Sequence, residues 1–288
     1  MDKKFSEFEF APQLTENIKN LGYENCTPIQ TDAMPIILKG QDVAGLAQTG
    51  TGKTAAYLIP LLHRIITGDF ADWKARQFIL VLVPTRELAE QVLETFQKLS
   101  AGTGLRGTAV YGGVGYDKQK EALAEGHEFI FATPGRLIDL YKEHVADLKQ
   151  VRAVVFDEAD RLFDMGFKDD IRFVLSRIPR ERQMLVFSAT LNLDVINTCY
   201  EFGSHPVELN LSRDKATAEN VHHVIMHVGQ NEKPMYLLTL LQVHKPKQVI
   251  VFTNFKNQVE RVADFLTKNQ MPAMAISSLM TQAQRNKV

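Results

Sequence analysis

From Val43 to Leu209 the hydrophobic positions fall into short continuous apolar runs separated by longer stretches with helical spacing. Ile79–Val83, Ala153–Phe156 and Met184–Phe187 are uninterrupted apolar runs, the pattern of strands buried on both faces of a parallel sheet. Asp42–Ala47, Thr108–Tyr111 and Glu128–Ala132 read as further strands. Between and after them, helical periodicity predicts helices over Lys53–Ile66, Glu87–Leu99, Leu137–Glu143, Asp169–Ser176 and Leu193–Phe202. Strands alternating with helices predict an α/β fold built on a parallel sheet, here residues 1–211. Residues 212–220 are polar and charged with no apolar period, and read as a linker. A second alternating series fills 221–288: strands over His222–Val228 and Gln248–Thr253, helices near Pro234–Val243 and Val259–Lys268. His222 and His223 have no further ligand types nearby and read as a strand face.

Two strand ends carry chemistry. Ala47-Gln48-Thr49-Gly50-Thr51-Gly52-Lys53-Thr54 follows the strand candidate Asp42–Ala47 and opens a helix, the context of the phosphate-loop pattern G-x-x-x-x-G-K-[ST], with Ala47 in its first place. Gly50 and Gly52 let backbone N–H groups turn toward phosphate oxygens, and the helix offers its positive end to the same anion. Lys53 would reach the terminal phosphates and Thr54 would hold magnesium. Asp157-Glu158-Ala159-Asp160 closes another apolar strand, and ligands of parallel sheets sit outside the carboxyl ends of the strands. In phosphate-loop enzymes an acidic residue at a later strand end completes the magnesium site. That role falls to Asp157, directly or through water, which leaves Glu158 to orient and deprotonate an attacking water. Lys53, Asp157 and Glu158 form the expected catalytic set. Alone, either segment would pass for a glycine-rich or acidic turn; the pair is what points to nucleotide hydrolysis.

Four further strings lie along the chain: PTRELA (Pro84–Ala89), Gly112-Gly113, TPGR (Thr133–Arg136) and SAT (Ser188–Thr190). In that order and spacing, with the two segments above, they make a chain that resembles a DEAD-box ATP-dependent RNA helicase. The likeness reaches upstream to GYENCTPIQ (Gly22–Gln30), similar to the family's adenine-reading motif, and to Phe5, where the family places an aromatic. Downstream, VIVFTN (Val249–Asn254), Gln282 and Arg285 resemble second-domain motifs.

The resemblance implies a RecA-like parallel sheet sandwiched by helices, followed by a partial second RecA-like domain, with ATP and Mg2+ bound and RNA gripped by its backbone. ATP would be held by Phe5, Gln30 and the loop Ala47, Gln48, Thr49, Gly50, Thr51, Gly52, Lys53 and Thr54. A carboxamide such as Gln30 can pair with adenine N6 and N7, and Phe5 is placed to cover the base, while Phe8 and Phe10 read as packing residues. RNA contacts are implied for Pro84, Thr85, Arg86, Gly112, Gly113, Thr133, Pro134, Gly135 and Arg136, and in the second domain for Thr253, Asn254, Gln282 and Arg285. Hydroxyls, tight turns and arginines suit phosphodiester contact; Thr85 and Thr133 are equally good helix caps, and the roles are compatible. Ser188-Ala189-Thr190 reads by itself as a strand-to-helix connection; the resemblance implies that Ser188 and Thr190 couple the ATP site to RNA through Asp160.

The 33 basic and 34 acidic residues nearly cancel, so any RNA site must be local, built from loops such as those at Arg86 and Arg136. Cys26 and Cys199 lack disulfide or metal spacing and read as ordinary thiols. Neither a secretory signal nor an apolar run of membrane length is present, and a soluble, cytoplasmic protein is expected. Nothing resembles the family's A-R-G-x-D or H-R-x-G-R-x-x-R motifs, and Ser277-Ser278 stands where many members have histidine-glycine. A partial chain is expected, hydrolysing ATP weakly by itself, with further segments able to bring protein partners. An ATP-switched RNA clamp without unwinding is an alternative. A phosphate-loop kinase or GTPase is disfavoured, because no N-K-x-D guanine reader is present and PTRELA, TPGR and SAT would go unexplained.

Overall fold

A computed structural model describes residues 3–48, 50–70, 73–190, 193–211, 222, 224–229, 231–277 and 280. The expectations for Thr49, the linker 212–220, His223, Ser278, Gln282 and Arg285 lie outside the described residues. The chain divides into two compact units, Met1–Ala218 and Glu219–Val288.

The first unit is built on strands β1 (Val43–Leu46), β2 (Phe78–Leu82), β3 (Gly107–Val110), β4 (Phe129–Ala132), β5 (Val151–Phe156), β6 (Gln183–Ser188) and β7 (Val207–Asn210). They form one sheet in the order β3-β4-β2-β5-β6-β1-β7, every pairing parallel. Around it run α1 (Pro12–Asn20), α2 (Pro28–Leu38), α3 (Lys53–Thr67), α4 (Arg86–Leu99), α5 (Asp117–Glu125), α6 (Pro134–Lys142), α7 (Ala159–Asp164), α8 (Lys168–Leu175) and α9 (Leu193–Glu201). Alternate strand residues feed two cores. Ile79, Val81, Phe129, Phe131, Leu185 and Phe187 pack with α1 to α4. Phe78, Leu80, Leu82, Ile130, Met184 and Val186 pack with α6 to α9 on the other face. This is the RecA-like α/β sandwich implied by the motifs. Strands apolar on both faces leave no solvated side, which is why β2 and β6 read as continuous runs rather than alternating ones.

Four helices escape the apolar pattern, among them α7, only six residues long. α1 and α2 start at Pro12 and Pro28, and α2 carries Pro35 inside it; proline suits a first helical position but inside a helix removes an N–H. α5 buries only Gln119 among its residues, so it has almost no apolar stripe to find. Gly45 in β1 is a close-approach position: a Cβ there would lie 3.0 Å from both Ile29 and Phe187, so α2 packs onto the sheet through it. Burial holds both thiols protonated, raising Cys26 to about 11 and Cys199 to about 12. Among the described residues, no helix is long and apolar enough to cross a membrane.

The segment before α1 is tied down through His63, whose Nδ1 accepts from the Ala11 N–H at 3.1 Å. That bond needs a neutral imidazole. Burial lowers the pKa of His63, while the nearby Asp69 opposes the shift. A lowered folded pKa means that the stabilisation is present above the unfolded value of about 6.5 and is lost as pH falls below it through the folded value. Denaturant titrations of wild type and His63→Leu should therefore differ by ~0.5–1.5 kcal/mol at neutral pH, a gap that shrinks at acidic pH. A gap independent of pH would contradict this.

In the second unit, α10 (Lys233–His244) and α11 (Lys256–Lys268) lie where helices were expected. Among the described residues, neither His222–Val228 nor Gln248–Thr253 is paired in a ladder, and Ile225, Ile250 and Phe252 are 84%, 75% and 90% exposed. β-propensity expresses side-chain packing on a pleated surface more than a backbone preference. An apolar run with no neighbouring strand therefore forms no sheet.

Candidate nucleotide and nucleic-acid site

Because the sheet is parallel, the segments after β1 to β6 all emerge at one edge, and the strand order sorts them into two groups. β5, β6 and β1 are adjacent, which brings together Asp157–Asp160, Ser188–Thr190 and the phosphate loop. β3, β4 and β2 are also adjacent, which brings together Gly112-Gly113, Thr133–Arg136 and Pro84–Arg86. The sequence separates the members of each group by tens of residues; the topology makes them neighbours.

In the first group, Gly50 and Gly52 take positive φ, +82° and +86°, at the entry to α3. A Cβ on Gly52 would come within 2.4 Å of Gln30 Nε2, so this position requires glycine on two grounds. Thr51 Oγ1 donates to the Gln48 carbonyl at 2.7 Å, and Lys53 Nζ donates to the Ala47 carbonyl at 2.8 Å. The lysine is thus buried and curled over the loop it belongs to, its charge held where an anion would sit.

Gln30 is buried. Its Oε1 accepts from the Thr27 N–H at 2.8 Å and its Nε2 donates to the Gly52 carbonyl at 3.1 Å. The carboxamide therefore latches the phosphate loop and caps α2. Reading adenine would use the second lone pair and the second hydrogen that these bonds leave. Beside it opens a cavity of about 500 Å³ lined by Phe5, Tyr23, Gln30, Gly50, Gly52 and Thr54, among others. Phe5 is buried and stacked on Tyr23, ring centroids 5.9 Å apart, while Phe8 and Phe10 stack on each other.

Asp157 leaves β5 buried. Its Oδ1 accepts from the Glu158 N–H at 3.0 Å and its Oδ2 from the Tyr57 hydroxyl at 2.9 Å. Burial pushes its carboxyl above the ordinary range, against the Tyr57 hydrogen bond and the charge of Lys53. Sequence reasoning misses Tyr57, which carries no motif and sits among the buried residues of α3. Glu158 adopts left-handed backbone, φ 50° and ψ 51°, uncommon without glycine. This conformation turns the chain sharply from β5 into α7, and Arg161 Nη1 holds Glu158 Oε2 at 3.0 Å. Asp160 Oδ2 accepts from both the backbone N–H and the hydroxyl of Thr190, at 2.9 and 2.8 Å, and its own N–H donates to Ser188 Oγ at 3.2 Å. Burial acts to raise the pKa of Asp160, but hydrogen bonds from Thr190, Arg161 and Ser188 outweigh it and hold the carboxyl below the usual range.

In the second group Thr85 caps α4, its Oγ1 accepting from the Leu88 N–H. Thr133 precedes α6 without a side-chain cap, and Pro134 takes the first helical position. The two arginines are engaged. Arg86 lies over the Tyr111 ring and pairs with Glu90 at 3.3 Å. Arg136 is buried under Tyr116, 3.9 Å from its ring centroid, and donates to the Val114 carbonyl at 3.1 Å. Its Nη1 is buried with no hydrogen-bond partner among the described residues. Together they bracket the exposed turn Gly112–Gly115 from neighbouring strands. In the second unit, Thr253 turns its hydroxyl onto the Phe255 carbonyl, and Asn254 is exposed.

Comparison with known proteins matches the same regions. The DEAD/DEAH box helicase model covers residues 27–198, and the model of the helicase conserved C-terminal domain covers residues 232–288. Proteins named ATP-dependent RNA helicase RhlB are similar along the chain. That of Xanthomonas oryzae pv. oryzae is 43% identical over 99% of this chain and 50% of its own length, and that of Xanthomonas axonopodis pv. citri is 44% identical over 99% and 51%. That of Vibrio campbellii is 36% identical over 100% of this chain and 67% of its own length. The chain spans about half the length of the Xanthomonas relatives. With the phosphate loop, the acidic strand end and the SAT segment on adjacent strands, and the family model matching across all of them, the chain belongs to the DEAD/DEAH box helicase family.

Proposed function

We propose that this chain carries the ATP-hydrolysing and RNA-gripping edge of an ATP-dependent RNA helicase that separates short duplexes or remodels RNA–protein contacts. The observation that carries this reading is the double hydrogen bond of Thr190 to Asp160. It joins the strand end bearing the hydrolytic carboxylates to the segment leading into α9, so a change at one is felt at the other.

On this reading Gly50, Gly52 and the start of α3 cradle the phosphates, and Lys53 exchanges the Ala47 carbonyl for a phosphate oxygen. Magnesium fits the residues present. Thr54 and the buried, hydrogen-bonded Asp157 supply one or two protein oxygens, and this ion is commonly held by few protein groups plus water and substrate phosphates. When bound, it supplies neutralisation of charge across the terminal phosphates. Glu158, held by Arg161, accepts the proton of the attacking water. Asp160, Ser188 and Thr190 pass the state of the site onward, while the loops at Arg86, Gly112-Gly113 and Arg136 contact RNA phosphates without reading bases.

Strand displacement by this protein tests the proposal. ATP-dependent release of one strand from a short RNA duplex is expected. Tight ATP-dependent RNA binding without release would favour a clamp.

A further inference from the structure

Tyr57 stands one turn after Thr54 on α3, and i,i+3 residues share a helix face. Its ring is fully buried and packs against Phe187, centroids 5.4 Å apart. Phenylalanine would fill this space without a polar atom to satisfy, and a buried hydroxyl is unfavourable unless bonded. The hydroxyl is bonded: it donates to Asp157 Oδ2 at 2.9 Å. That bond joins α3, one turn past the residue read as holding magnesium through its hydroxyl, to the carboxylate read as holding the same ion. The Glu158 N–H occupies the other oxygen of Asp157, so the carboxylate cannot rotate without breaking one of these bonds.

We propose that the Tyr57 hydroxyl is a positioning group for magnesium, fixing the Asp157 carboxylate before nucleotide arrives. The proposal rests on reading this edge as an ATP and magnesium site. Each Asp157 oxygen keeps a lone pair free for a hydrated cation. The Tyr57 bond selects which way those lone pairs face. Groups that orient metal ligands in this way matter to affinity although they never touch the metal.

Equilibrium titration of the 288-residue chain with fluorescently labelled ADP, in graded MgCl2 and in EDTA, separates the possibilities. Tyr57→Phe should raise the magnesium concentration for half-maximal enhancement about tenfold, while affinity in EDTA stays within about twofold of wild type. Binding in EDTA also reports that the variant is folded. In an Asp157→Asn background, adding Tyr57→Phe should shift the midpoint no further. An unchanged midpoint in the single variant, with wild type binding normally, would overturn the role of the tyrosine alone. So would a second full shift in the double variant. Failure of wild type to bind nucleotide in either buffer would instead overturn the ATP reading and this inference with it.

Discussion

Glu158→Gln should lower RNA-stimulated ATP turnover by ~10²–10⁴, the range for loss of a positioned general base, while leaving nucleotide binding close to wild type. The substitution keeps shape and hydrogen-bonding capacity but removes the proton acceptor. The structure limits the side effects. Glu158 contacts Arg161, whose side chain is 56% exposed, and an ion pair this exposed contributes little to stability, ~0–1 kcal/mol. Nor does the backbone depend on the carboxylate, since the Glu158 N–H is held by Asp157. Turnover and labelled-nucleotide binding, measured on the same preparation, would distinguish a lost base from a damaged site. Unchanged turnover would remove Glu158 from the mechanism.

Lys53→Ala should act one step earlier, weakening nucleotide binding by about 10- to 100-fold, the equivalent of a hydrogen bond to a charged group, ~1.5–3 kcal/mol. Two effects add. The phosphates lose a cationic donor, and Asp157 loses the nearby positive charge that opposes its burial. Its carboxyl then moves further up and is less available as an anion to a cation. The loop should survive, because Thr51 still bonds the Gln48 carbonyl and Gln30 still holds Gly52. Titration with labelled ATP in magnesium would measure the loss; binding equal to wild type would show that Lys53 remains on the Ala47 carbonyl throughout.

Most of the site's membership was legible because each motif follows an apolar run, and in a parallel sheet every such run ends at the same edge. The strand order was not legible. It decides that Ser188–Thr190 meets Asp160 rather than the RNA loops, and it comes from pairings between residues far apart in the chain. Helix starts were displaced by one to three residues at Arg86 and Pro134, since capping and proline geometry rather than apolar period set them. Sequence patterns also count side chains as available when they are already engaged. Gln30, Arg86, Arg136 and Lys53 were read for what they offer a ligand, yet each is bonded within the protein. Tyr57 shows the reverse: a residue to which the sequence patterns gave no role carries a polar bond into the site. The second unit marks a physical limit of pattern reading, for the apolar runs at 222–228 and 248–253 carry a strand signal without a paired neighbour among the described residues.

The central claim is that the edge formed by β1, β6 and β5 hydrolyses ATP under the control of RNA. Hydrolysis of ATP and GTP by this protein, with and without single-stranded RNA, tests it most directly. ATP turnover should rise on adding RNA, and GTP should be used at least about tenfold less well, as a two-point adenine contact by Gln30 would require. Equal use of GTP, or ATP turnover indifferent to RNA, would contradict the account.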